Sequence, residues 1–148
     1  MRQRVAIAQA MIMKPKVLLL DEAFSGLDPE TRQEMQLLLL ELWNTNGMTV
    51  IFVTHNLDEA IFMCTRIIGL SQYWTNDDGS RGEGAKIVFD KKVDGASPRP
   101  TSWRYQPDFN LLLQGITHDV FSPEHCQRIA EFDLTHADSI PTNEGRKA

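Results

Sequence analysis

Val17-Leu18-Leu19-Leu20-Asp21-Glu22-Ala23-Phe24-Ser25-Gly26-Leu27-Asp28 decides how the rest of the chain is read, because consecutive apolar residues run directly into two carboxylates. The apolar run lacks period-two alternation, which predicts a strand covered on both faces in a parallel sheet. Ligands in such sheets sit beyond the carboxyl ends of the strands, which is where Asp21 and Glu22 fall. Paired acids at that place suit holding a hydrated magnesium ion and aligning a water for attack on a phosphate. A solvated acidic turn would produce the same pattern, so the neighbouring stretches have to separate the two readings.

Downstream, Asp28-Pro29-Glu30 has the marks of a helix start: a capping carboxylate, a proline preset for the first helical position and an acid at the positive end of the helix dipole. Met35, Leu38, Leu39 and Leu42 give that helix one apolar face, and Gly47 is placed to end it with a positive dihedral. Thr49 to Thr54 is a second buried strand rich in β-branched residues, closed by His55-Asn56. A lone histidine is usually structural or exposed. His55, however, leaves a parallel strand on the same side as Asp21 and Glu22, where an imidazole N–H can reach a terminal phosphate oxygen or an attacking water. The helix from Asn56 to Cys64 starts with a capping residue and carries Asp58 and Glu59 in its first turn, and Arg66 to Leu70 reads as a third short strand.

Upstream, Met1-Arg2-Gln3-Arg4 followed by VAIAQAMIM imitates a secretory signal, with Ala8-Gln9-Ala10 as a mock cleavage site. The apolar run is short and interrupted by Gln9, so a helix is the better expectation, with Val5, Ala8, Met11 and Ile12 forming its packed stripe, Arg2, Gln3 and Arg4 leading its exposed end, and Lys14-Pro15-Lys16 stopping it.

Over roughly residues 1–70 these features resemble the nucleotide-binding subunit of ATP-binding-cassette (ABC) transporters. VLLLDE, ending at Asp21 and Glu22, reproduces that family's Walker B motif. SGLD at Ser25, Gly26, Leu27 and Asp28 matches its D-loop, and VIFVTH ending at His55 matches its switch histidine, or H-loop. RQRVAIAQA at Arg2 to Ala10 looks like the helix that follows its Leu-Ser-Gly-Gly signature. FVTHNLDEAIF is most similar to the subunits of nitrate, sulfonate and taurine importers, although an acid is usual there at the position of Asn56. The signature tetrapeptide, the glutamine loop and the Walker A phosphate loop GxxxxGK[ST] do not occur in these 148 residues. Gly84-Ala85-Lys86-Ile87 is only a decoy for the last of these.

The resemblance implies an α/β fold: an incomplete P-loop NTPase (RecA-like) core with mainly parallel strands, plus a β-hairpin and an irregular or helical C-terminal tail. Residues 1–92 would be the C-terminal part of the nucleotide-binding domain and residues 93–148 a variable tail. On the same resemblance Asp21 holds Mg2+ through water, Glu22 is the catalytic base, His55 contacts the γ-phosphate of ATP, and the Ser25–Asp28 loop meets a second nucleotide-binding subunit in a head-to-tail dimer. A transmembrane permease subunit is the other implied partner, with the chain peripheral on the cytoplasmic face of the plasma membrane. The expectation is the carboxyl-terminal part of a subunit, through truncation, a split gene or an internal start. It would be inactive alone, because the backbone amides and lysine that hold the ATP phosphates are absent, and would hydrolyse ATP once the phosphate-loop half is supplied; unaided, it also lacks a central strand and leaves edges or apolar faces uncovered, an aggregation hazard. The competing classes are a non-catalytic interaction module or orphan fragment, and a soluble cassette ATPase acting on DNA or ribosomes.

Composition is in keeping with a soluble globular domain, at 42% hydrophobic and 24% charged residues, and the net charge of −5 argues against a general nucleic-acid binder. Cys64 and Cys126 form no CxxC pair and read as free thiols in a reducing cytosol, packed as small hydrophobes. Tyr73 to Gly84 is a polar, turn-rich connection, with Ala85 to Phe89 returning as the second strand of a hairpin. Val93 to Phe109, with its prolines, reads as an extended surface segment. Trp103 and Tyr105 beside Arg99 and Arg104 offer stacking surface for a nucleic acid or, with so few basic residues, tethers for the tail. His118, Asp119, Glu124, His125 and Cys126 are metal-ligating types at a spacing that fits no standard site, and a helix cap at Ser122-Pro123-Glu124 accounts for the latter half. Ser139 to Ala148 is expected to fray.

Overall fold

The computed structural model describes residues 2–95 and 97–139. The side chains expected to lead the first helix and the tail beyond Ser139 lie outside the described set. The chain divides into two compact units, Met1–Met63 with Ala96–Pro100, and Cys64–Gly95 with Thr101–Ala148.

The first unit runs α1 (Arg2–Ile12), β1 (Val17–Asp21), α2 (Pro29–Asn46), β2 (Thr49–Val53) and α3 (Leu57–Met63). β1 and β2 pair in parallel from Val17↔Thr49 to Asp21↔Val53, so both strands end at the same edge. The ladder continues past the last pair, where the Glu22 N–H donates to the Val53 carbonyl at 2.9 Å. α2 begins as its sequence predicts: Asp28 Oδ1 accepts from the Thr31 N–H at 2.9 Å and Pro29 takes the first helical position. It ends at Gly47 with φ 63°, a left-handed conformation that glycine adopts without a Cβ penalty, and the Gly47 N–H donates to the Trp43 carbonyl. The core gathers Ile7, Leu18, Leu20, Phe24, Met35, Leu39 and Met48.

Burial corrects several expectations in this unit. β1 alternates, with Leu18 and Leu20 buried but Val17 52% and Leu19 70% exposed. β2 likewise turns Ile51 and Val53 outward. The uniform apolar run shows only that both faces tolerate a covering layer; α1 and α2 supply side chains to one face, and the other stays open among the described residues. In α1 the inward residues are Ile7, Ala10 and Met11, whereas Val5, Ala8 and Ile12 are exposed. The helix is apolar on more than one side, and two stripes centred about 140° apart satisfy the same spacing rule. In α2, Met35, Leu39 and Leu42 face the core as expected, while Leu38 is exposed and Gln36 and Leu40 are buried.

The second unit contains β3 (Arg66–Ser71), β4 (Trp74–Thr75), β5 (Lys86–Lys92), α4 (Pro107–Ile116) and β6 (Gln127–Arg128), with a π-helical turn over Thr117–Phe121. β3 and β5 pair antiparallel, with a register shift between Gly69 and Leu70, so the expected hairpin forms and its return strand runs on to Lys92. β4 pairs in parallel with β6. Sheet pairing is therefore mixed, with two parallel pairs and one antiparallel pair among the described strands. The segment read as an extended linker instead holds a 3-10 turn at Thr101–Tyr105 and the start of α4, and Val93 and Phe109 are buried. Trp103 meets Phe109 edge-on at 5.2 Å, a contact within the tail itself, while Tyr105 is exposed. Neither cysteine is in a disulfide, but Cys64 is half-buried and Cys126 exposed, so neither packs as a core hydrophobe. Ser122-Pro123-Glu124 starts no helix; it forms a turn closed by the His125 N–H on the Ser122 carbonyl, because no run of helical hydrogen bonds follows. No helix of the described residues is long and apolar enough to cross a membrane.

Candidate functional site

Parallel pairing of β1 with β2 is what assembles the site, since it brings Asp21-Glu22 and Thr54-His55-Asn56 to one edge of the ribbon. His55 Nδ1 and Glu22 Oε1 lie 2.8 Å apart across a sequence separation of 33. Both side chains stay accessible, 72% and 49% exposed, so the pair faces solvent and is not spent on the core. Glu22 has φ 44°, a conformation uncommon for a residue with a side chain. Such local strain persists only where its surroundings impose it and is concentrated at functional sites.

Three contacts impose it. The Glu22 N–H is held by the end of β2, the Glu22 carbonyl accepts from the Ser25 N–H at 2.9 Å, and Phe24 is fully buried against Phe52 with ring centroids 5.4 Å apart. The turn then passes through Gly26 and delivers Asp28 to its capping role on α2. Ser25 and Gly26 line a shallow pocket with Glu22, Thr54, His55 and Asn56, while Leu27 is half-buried against the core. Asp21 is exposed at the last position of β1. Among the described residues no hydrogen bond or ion pair involves its carboxylate, a hard oxygen donor of the kind that suits a hydrated Mg2+.

Behind this edge lies a polar layer that the sequence reading missed. Glu59 is buried, accepts from Thr54 Oγ1 at 3.0 Å and faces Arg32 Nε at 3.6 Å. Arg32 also donates from Nη2 to the Leu27 carbonyl at 2.9 Å, tying α2 to the loop that follows the acidic pair. Asn56 Oδ1 accepts from the Asp58 and Glu59 N–H groups, and the Asn56 N–H donates to Thr54 Oγ1, so the strand end carrying His55 is clamped on the start of α3. In sequence, Glu59 looks like an ordinary first-turn acid and Arg32 like a surface charge. Only an acid and a base whose elements flank the same strand end could have hinted at the pair.

Of the residues named from the sequence, Asp21, Glu22 and His55 thus come to one edge, and Ser25 to Asp28 form the connection from that edge to α2. The arrangement can present a carboxylate and an imidazole side by side to a solvent-borne ligand.

No protein-family model matches the chain. It is similar to the taurine import ATP-binding protein TauB of Escherichia coli (strain K12), at 51% identity over 121 residues covering 81% of this chain and 45% of that protein. The TauB of Shigella flexneri is 40% identical over the same shares of both chains. The chain spans a little under half the length of the curated relatives it matches.

Proposed function

We propose, for a chain that these relatives show to be homologous to ABC importer ATP-binding subunits, that the Asp21–Glu22–His55 edge is the hydrolytic edge of such a subunit. The observation that carries the reading is the 2.8 Å contact between His55 Nδ1 and Glu22 Oε1. With the Nδ1 proton donated to Glu22, the carboxylate is oriented and keeps lone pairs to take a proton from a water aimed at the γ-phosphate of ATP. A neutral ring carries one N–H, so on nucleotide binding His55 would pass that donor from Glu22 to an oxygen of the γ-phosphate. Asp21 would hold Mg2+ through water, and the bound ion would neutralise charge on the phosphates. Ser25, Gly26, Leu27 and Asp28 would form the loop that meets a second nucleotide-binding subunit in a head-to-tail dimer.

The backbone amides and lysine that cradle the phosphates are not among these 148 residues, so hydrolysis requires a phosphate loop from polypeptide outside them. Closure on ATP would then move a transmembrane permease subunit from the cytoplasmic face of the membrane. The cargo would be a small anion or zwitterion of the nitrate, sulfonate or taurine kind, the similar proteins being taurine import subunits. A second reading, as an interaction module, is favoured for the chain alone by its open apolar face of Val17, Leu19, Ile51 and Val53.

The experiment compares ATP turnover by the chain alone with turnover when a phosphate-loop half is supplied. Negligible activity is expected alone and hydrolysis on complementation. Glu22→Gln is then expected to lower turnover roughly 100- to 10,000-fold, with a folding stability within about 0.5 kcal/mol of wild type because an exposed pair contributes little. Complemented turnover unchanged by Glu22→Gln would overturn the assigned base.

A further inference from the structure

The π-helical turn Thr117–Phe121 projects His118 and Asp119 outward while Val120 is buried, and the turn closed between Ser122 and His125 brings His125 back against them. The imidazoles of His118 and His125 stack with centroids 3.7 Å apart at 34°. His118 Nδ1 and Asp119 Oδ1 are 2.9 Å apart, and one ligand atom from each of His118, Asp119 and His125 lies within 4.8 Å of the others. Glu124 and Cys126 stand outside that group; the Cys126 thiol turns toward the Pro123 carbonyl at 3.8 Å.

We propose that His118, Asp119 and His125 form a binding site for a divalent transition-metal ion of the zinc type. Ligands about 2.0–2.1 Å from a tetrahedral ion are separated from one another by about 3.3 Å, so the His118–Asp119 hydrogen bond at 2.9 Å would open by about 0.4 Å as the ion replaces its proton. His125 completes the set by rotation of a partly accessible side chain, with no backbone change. Two imidazoles and one carboxylate are a borderline donor set, suited to Zn2+, Co2+, Ni2+ or Cu2+ and unsuited to Mg2+ or Ca2+, which take oxygen-rich shells. Both arms are anchored: Ile116 and Val120 are buried on one side, and on the other Gln127 is buried and β6 pairs with β4 at Trp74. Such anchoring gives a three-ligand site with an open position for water, and places a π-helical turn where such turns recur, at a functional site. An ion bound there clips the end of α4 to the segment that leads into β6.

The test is calorimetric titration of the 148-residue chain with Zn2+, paralleled by Co2+ titration read from its visible absorption. One ion per chain with micromolar affinity is expected. His118→Ala and His125→Ala should each weaken Zn2+ binding by at least about tenfold, the lower bound for losing even an outer partner of a ligand. Both positions are accessible, and unchanged circular dichroism will separate a lost ligand from a lost fold. His136→Ala should retain the affinity, and excess Mg2+ should not compete. Absence of one-to-one binding, affinity unchanged in both histidine variants, equal loss in His136→Ala, displacement by Mg2+, or binding that persists in concentrated urea would each overturn the proposal.

Discussion

Phe24→Ala probes the step on which the candidate site depends, because this ring pins the turn between Glu22 and Asp28 to the core. Phe24 is fully buried among Leu18, Leu20, Met35 and Leu39, and its ring meets Phe52 of β2 at 5.4 Å and 56°. Its carbonyl accepts from the Leu27 N–H at 3.3 Å, so backbone and side chain hold the same turn. Truncation leaves a cavity walled by a strand pair and a helix that cannot close on it, for an expected cost of about 3–5 kcal/mol. The aromatic pair accounts for about 0.5–1.5 kcal/mol of that. Against a domain stability of about 5–15 kcal/mol the variant would be marginal. Phe24→Leu keeps most of the apolar volume and should cost about 1–2 kcal/mol, which leaves a folded protein to measure. Urea unfolding followed by far-ultraviolet circular dichroism reads both values, with a Phe52→Leu cycle isolating the ring pair. A loss below about 1 kcal/mol for Phe24→Ala, or no coupling to Phe52, would refute the idea that this contact holds the acidic turn in place.

Two further outcomes follow from the second unit. A Cβ added at Gly82 would run into the Trp74 ring, which is buried, donates from Nε1 to the Gly84 carbonyl at 3.0 Å, and lies beneath Lys86 Nζ; Gly82→Ala should destabilise by about 1–3 kcal/mol, and a neutral effect in urea unfolding would show that the ring yields. Arg66 donates to both oxygens of the buried Asp90 at 2.8 and 2.7 Å, and these bonds, aided by one from Ser139, hold the Asp90 carboxyl below its usual range. A depressed folded-state value contributes stability that is present above the unfolded-state value, about 3.9, and is lost as pH falls through the folded one. Stability should therefore drop below about pH 4, and Asp90→Asn should be less stable at neutral pH with a flatter acid limb; an acid limb of wild-type steepness in that variant would refute the assignment.

Much of the first unit was legible because its signals are local. A cap, a proline and a glycine at Asp28, Pro29 and Gly47 act through the backbone within a few residues, so α2 begins and ends where they say. The acidic strand end, the loop to Asp28 and the histidine at the next strand end could be placed together as soon as the two strands were taken as parallel, and that pairing is observed. The Arg32–Glu59–Thr54 layer was not legible, because Glu59 also serves as an ordinary first-turn acid and Arg32 as an ordinary surface charge.

Residue order by itself determined the succession of strands and helices in the first unit, the acidic and histidine-bearing strand ends, and the likeness to taurine import ATP-binding proteins. Tertiary structure alone decided which side of each element is covered and which distant groups touch. Ile7 rather than Val5 faces inward, Leu19 is open to solvent while Leu18 is not, and a turn in place of a helix start returns His125 to His118. The physical reason is that hydrophobic burial is non-directional. A sequence states that a face is apolar, but what lies against it depends on the rest of the fold.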